Sequence, residues 1–239
     1  MTIFSIGDLH LSSGEKPMHV FGDHWFHHFE KIARDWSGKV TPQDVVLLPG
    51  DLSWAMHLPE ALEHLKGVAA LPGRKILLRG NHDYWWNSVT RLREALPPDM
   101  FAIQNDALML DGVLFAGSRG WLLPGEDTKQ EDLRIYERER VRLEMSLQCA
   151  RRISDTARLV CLMHFPPLTP AVPESGFTEI IEKYHADDVV YGHLHGPALR
   201  GAFSGTMRGV RYHQVSADGL DFRLYRLPEC PEDPAEDVR

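Results

Sequence analysis

The sequence predicts an α/β fold, and two observations carry that expectation. Over its first two-thirds, short apolar runs alternate with amphipathic stretches, the rhythm of strand–helix–strand units. Five of these runs also end in a polar cluster, and in α/β sheets ligands gather at the carboxyl ends of strands.

The strand candidates cover residues 2–6, 44–48, 75–78, 159–163 and 188–191. Between them, Trp25, Phe29, Ile32, Ala33 and Trp36 recur at helical spacing, as do Leu58, Leu62, Leu65 and Ala69. A longer helix is predicted over 131–153, with Glu and Arg on its solvent side. Residues 107–116, split by Asp111-Gly112, predict a hairpin with a type I′ turn. After Gly196 the texture changes: 198–203, 207–215 and 222–227 alternate like antiparallel strands, joined by turns at Ser204-Gly205 and Asp218-Gly219. Residues 228–239 are acidic, proline-rich and almost free of large apolar groups, which predicts a disordered tail. With no internal repeat and no low-complexity linker, residues 1–227 read as a single domain.

Composition narrows the function classes. No apolar run approaches the roughly 20 residues that span a bilayer. The start, Met1-Thr2-Ile3-Phe4-Ser5, has no basic region, so no cleaved signal peptide is expected and the cytoplasm is the expected compartment. Cys149, Cys161 and Cys230 are odd in number and widely spaced, which suggests neither a disulfide framework nor a cysteine zinc site. Cys161 lies in an apolar run and reads as a core residue. A net charge of -8 argues against a protein that grips long nucleic acid. Thirteen histidines are unusual, and histidine is the commonest metal ligand.

The five clusters are Asp8-Leu9-His10, Gly50-Asp51, Gly80-Asn81-His82-Asp83, His164, and Gly192-His193-Leu194-His195. Carboxylate, imidazole and amide oxygen suit manganese, iron, zinc or nickel. In D-x-H and H-x-H, residues two apart on an extended segment share a face, so both side chains reach one metal. Singly, each has an ordinary structural reading: Asp8 and Asp51 as helix caps, Asn81 and Asp83 as turn residues, His164 as a core histidine. Five in order, each closing an apolar run, point instead to one metal site.

The series resembles the signature of the calcineurin-like metallophosphoesterases, with every motif position filled from Asp8 to His195. The resemblance implies a four-layer α/β/β/α sandwich with two central mixed sheets, and two divalent transition-metal ions at one rim. It implies that Asp8, His10 and His195 hold one ion, that Asn81, His164 and His193 hold the other, and that Asp51 bridges them. His82 would be the catalytic residue beside the phosphate. The scheme is physically coherent. Two cations about 3.5–4 Å apart need a shared anionic ligand, and the water between them is acidified towards hydroxide. His82 would then protonate the leaving alkoxide or stabilise developing charge.

Details of spelling narrow the substrate. Protein phosphatases of this superfamily continue with V-D-R-G where Leu52-Ser53-Trp54-Ala55 stands, and carry Glu where this chain has Asp83. The Asp8-Leu9-His10 start with Gly80-Asn81-His82-Asp83 is more similar to bacterial phosphodiesterases of the cyclic-nucleotide class. A small phosphodiester is therefore the expected substrate. A small nuclease, a nucleotide pyrophosphatase and a non-catalytic metal-binding scaffold are the rivals. Arg79 and Arg119 are candidate phosphate clamps. Trp54, Tyr84, Trp85, Trp86 and Trp121 follow candidate loops and are candidates for an aromatic wall, with core packing the commoner fate of any one Trp. Of these, Trp85 and Trp86 are the expected substrate contacts. His19, His24, His27 and His28 cluster before and within the first helix, where solvated positions are the simpler reading. Nothing in the sequence speaks to oligomeric state.

Overall fold

The computed structural model describes residues 1–12 and 18–229. Its first sheet has the order β11-β1-β2-β3-β4 and comprises β1 (Ile3–Ser5), β2 (Val45–Pro49), β3 (Arg74–Leu78), β4 (Met100–Ile103) and β11 (Tyr225–Arg226). All its pairings are parallel except β11 against β1. The second sheet, β5-β6-β7-β8-β10-β9, comprises β5 (Ala107–Leu110), β6 (Val113–Ser118), β7 (Leu159–Met163), β8 (Asp188–Tyr191), β9 (Gly205–Met207) and β10 (Val210–Gln214). It is parallel through β6, β7, β8 and β10, with antiparallel strands at both edges.

Alternation along each strand divides the core into three slabs. In β2, Val45 and Leu47 face the second sheet, where Phe115, Val160, Leu162 and Val190 meet them. Val46 and Leu48 point the other way, onto Ile32 and Trp36 of α1 (His28–Lys39) and Leu65 and Val68 of α2 (Leu58–Ala69). In β7, Leu159, Cys161 and Met163 pack on α4 (Gln130–Ile153) and α5 (Gly176–Lys183) through Leu143, Leu147, Phe177 and Ile181. The result is the four-layer α/β/β/α sandwich. A third helix, α3 (Val89–Ala95), lies over the first sheet, and its Arg93 donates to Ala102 O of β4 at 2.6 Å. Among the described residues, no helix is long and apolar enough to cross a membrane.

The hairpin forms as expected. Leu110 pairs with Val113 across Asp111 and Gly112, whose φ values are 48° and 80°. The segment after Gly196 differs from expectation. Residues 198–203 make no strand; Gly196–Gly201 is a 3-10 turn. Pro197 fixes φ and lacks an N–H, which favours a tight first turn over a ladder. The Tyr191 hydroxyl then donates to Phe203 O (2.7 Å) and accepts from Phe203 N (2.9 Å), taking groups a strand would use. The predicted strand 207–215 is a hairpin of β9 and β10 turning at Arg208-Gly209, not at Ser204-Gly205, and β10 runs parallel to β8. Of 222–227, only Tyr225–Arg226 is strand, and it closes the first sheet beside β1. Pro228 O and Glu229 O accept from Arg158 (2.8 Å) and Arg211 (3.1 Å), so the chain is still tethered there. The rest of the predicted tail, 230–239, lies outside the described residues.

Candidate metal centre

The motif residues sit just beyond the carboxyl ends of β1, β2, β3, β7 and β8, where the ladders continue as single hydrogen bonds between loops. Asp8 N donates to Gly50 O (3.0 Å), His10 N to Asp51 O (2.9 Å) and Gly192 N to His164 O (3.1 Å). Gly7 N donates to Val215 O at 2.7 Å and so joins the two sheets at this rim. Four site residues hold left-handed backbone: Asp8, His10, Asp51 and His193, with φ of 59°, 44°, 52° and 72°. Such conformations are sparsely populated for non-glycine residues and persist only where the surroundings impose them. Gly80 and Gly192 admit the carboxylates: a Cβ would lie 2.1 Å from Asp51 Oδ1 at Gly80 and 2.3 Å from Asp8 Oδ2 at Gly192.

Two groups of ligand atoms result, Asp8 with His10 and His195, and Asp8 with Asp51 and His164, each within 4.8 Å. His10 Nε2 and His195 Nε2 face one another at 3.3 Å. Asp51 Oδ2 lies 3.4 Å from His164 Nε2 and 3.8 Å from His10 Nε2, between the two halves. Asn81 Oδ1 approaches His164 Nε2 at 2.7 Å and His193 Nδ1 at 3.1 Å. The outward nitrogens are anchored: His164 Nδ1 faces Pro49 O at 3.0 Å, and His195 Nδ1 faces Asp218 Oδ1 at 2.8 Å. A carboxylate or carbonyl behind a ligand histidine fixes its tautomer and aims its other nitrogen inward.

The electrostatics call for a cation. Asp8 and Asp51 are buried, and among the described residues neither pairs with a Lys or Arg. Without a metal, imidazolium takes that place. Burial lowers the His164 pKa, but Asp51 and Asp8 hold it up at about 9. Burial also opposes charge on His195, yet Asp218 and Asp8 raise it to about 10. His10 and His193 fall to about 4, chiefly through burial. Burial works against ionised Asp51 as well, but His164 beside it holds the carboxyl well below the usual range. A divalent cation would displace the protons from these histidines and pair with the buried carboxylates in their place, so the donor set fits a metal.

His82 is set apart. Its N–H donates to Asp51 Oδ1 at 2.8 Å, while its ring stands 35% exposed with Nε2 4.0 Å from Asp51 Oδ2. The ring lines a cavity of about 310 Å³, together with His10, Asp51, Trp25 and Trp54. Trp54 stacks on His10 at 4.9 Å and lies 4.4 Å from His82.

Several residues fall elsewhere than expected. Trp85 and Trp86 are 1% exposed and belong to the core, their Nε1 atoms donating to Asp83 Oδ1 (3.1 Å) and Gln104 Oε1 (2.8 Å). Those acceptors turn both indoles inward, so they do not wall the site. Arg79 and Arg119 line a different cleft. The aromatic wall is instead Trp54 with Trp25, a residue read from its spacing as helix core. Of the early histidines, His24 lines the cavity, while His28 is turned in to Leu9 O at 2.8 Å. Asp83 accepts from Leu52 N, Ser53 N and Gly80 N, tying the loops after β2 and β3 together.

A profile described as calcineurin-like phosphoesterase matches residues 1–197. The chain belongs to that family. Its fold is shared with solved structures of low sequence identity. A protein of unknown function from Aquifex aeolicus, AQ665, aligns over 94% of this chain and 95% of its own, at 16% identity and TM-score 0.51. TT1561 of Thermus thermophilus aligns over 94% and 97%, at 12% identity and TM-score 0.58. No curated protein matches significantly. Family and Asp/His clusters together support a metal-dependent phosphoesterase with a divalent metal site.

Proposed function

We propose that this chain hydrolyses small phosphodiesters at two divalent transition-metal ions, with His82 as the catalytic residue. The carrying observation is Asp51 Oδ2, placed between His164 Nε2 and His10 Nε2, so that one carboxylate faces both halves of the site. Asp8, His10 and His195 would hold one ion; Asn81, His164 and His193 would hold the other. Bound there, the ions would supply an acidified water as nucleophile and draw charge from the phosphate oxygens. His82, tethered through its backbone to Asp51, presents its ring to the departing oxygen.

The cavity favours a diester. Among the described residues that line it there is no Lys or Arg to balance a dianionic monoester. Trp25, Trp54, Met18 and Pro197 instead offer an apolar, partly flat surface for a second, uncharged ester arm. The test pairs elemental analysis with an activity panel using manganese, iron, zinc and nickel on an aryl diester and the matching aryl monoester. Two ions per chain and diester turnover at least equal to monoester turnover are expected. One ion or none overturns the dinuclear site, and a strong monoester preference overturns the diester reading. Asp51→Asn should lose the most metal, because it removes the negative charge shared by both ions.

A further inference from the structure

A second site lies between the two sheets' carboxyl ends, against α4. There Arg79, Arg119 and Arg142 line a cavity of about 50 Å³ with Gln104, Asn105 and Ser118. One carboxylate, Glu139, stands among them, 1% exposed. It is already engaged by Arg142 Nη1 at 2.7 Å and Arg119 Nη2 at 3.4 Å, with Arg138 Nε at 4.0 Å. Arg79 makes no hydrogen bond or ion pair among the described residues, and its Nε, like Arg119 Nε, is buried without a partner. Asp83 is the other nearby anion, but its oxygens are taken by Leu52 N, Ser53 N, Gly80 N and Trp85 Nε1.

The balance is therefore an excess of guanidinium around a small hole. Buried polar groups almost always find partners, and a buried charge without one is costly. The cavity shares no lining residue with the metal centre and is far smaller than the roughly 300 Å³ at the low end of small-molecule pockets. It has room for one tetrahedral oxyanion group, whose oxygens match the forked donors of arginine. We propose that this cleft binds a phosphate group, separately from the metal centre.

Occupancy would bear on the catalytic loops. Arg79 directly precedes Gly80-Asn81, and Arg119 O accepts from His164 N (3.1 Å) and Phe165 N (2.9 Å). An anion here would brace the backbone behind Asn81 and His164.

The test is calorimetric titration of the metal-loaded protein with inorganic phosphate at fixed ionic strength, beside Arg79→Gln, Glu139→Gln and Asp51→Asn variants. Two classes of phosphate site are expected. Arg79→Gln should weaken one class roughly 10- to 100-fold, the worth of one or two charge-assisted hydrogen bonds. Glu139→Gln should tighten the same class by removing the nearest opposing charge. Only the other class should respond to Asp51→Asn, so failure here is distinct from failure of the metal-centre reading. Phosphate binding unchanged in both Arg79→Gln and Glu139→Gln overturns the proposal. If Arg79→Gln does not fold, Arg79→Lys, which keeps the charge and loses the fork, takes its place under the same criterion. Two diesters, with and without a pendant phosphate, identify the source. A KM raised by Arg79→Gln only for the pendant substrate assigns the site to the substrate's own phosphate; loss of phosphate binding with neither KM changed assigns it to free phosphate.

Discussion

His195 stands between two carboxylates, Asp8 on the site side at 3.6 Å and Asp218 behind it at 2.8 Å. Asp218 is a positioning residue: removing it frees the ring to turn while leaving every proposed ligand in place. Asp218→Asn should therefore weaken binding of one metal equivalent by roughly 10–100-fold, read by metal titration. Equal affinity for both equivalents in variant and parent would show that the ring needs no brace. His82 invites a different comparison. Burial lowers its pKa, which disfavours the imidazolium form. His82→Ala should slow an alkyl-ester substrate by about 10²–10⁴-fold and spare metal content. An activated nitrophenyl ester, whose leaving group needs no proton, should suffer less. Equal losses would assign His82 to phosphate charge, and no loss would remove it from catalysis. The motif residues were legible because each closes an apolar run, a position with few structural uses for five such clusters at once. Asp218 was not, since a lone Asp beside Gly219 in a turn looks like any other; only the fold brings it behind His195.

At the scale of elements, the long and strongly apolar pieces were legible: β7 and β8 lie where their runs predict, and α4 begins one residue early. What escaped was short. α3 has 7 residues, α5 has 8 and β4 has 4, too few to display a period. α5 is fixed by its capping box instead, Ser175 Oγ accepting from Thr178 N and Thr178 Oγ1 accepting from Ser175 N. The loops after β2 and β3 show why aromatic residues beside a motif mislead. Asp83 is fully buried and draws Trp85 inward along with the backbone of both loops. Asp83→Ala would strand several buried donors, each worth about 1–3 kcal/mol, so a loss of roughly 3 kcal/mol or more is expected in urea denaturation. A loss below about 1 kcal/mol would show that the loops hold without it.

For the whole molecule, the rim is where the sheets are tied, and in the metal-free protein protonated histidines balance the buried carboxylates there, beside the backbone bond from Gly7 to Val215. His164 and His195 keep their protons up to about 9 and 10, above the ordinary value near 6.5. The stability they contribute is complete below about pH 6.5 and is lost as pH rises through 9 to 10. His10 and His193 resist protonation down to about 4, so their contribution holds above about pH 6.5 and is lost as pH falls towards 4. The melting temperature of chelator-stripped protein should peak near pH 6.5 and fall on both sides, whereas metal-loaded protein should melt higher and vary less between pH 6.5 and 9. Identical profiles for the two forms would mean that no metal occupies this rim. The pairing of β11 with β1 sets a further condition, one of time. During synthesis β1 is made before the other described strands, and its outer edge stays open until β11 has followed. Asp8 and His10 likewise wait for His195 and Asp218, which also come late in the chain. A ribosome-bound chain halted before Tyr225 would thus present an unpaired apolar edge, Ile3 and Phe4, to its neighbours. Among the described strands, the last to be made is the one that shields the first.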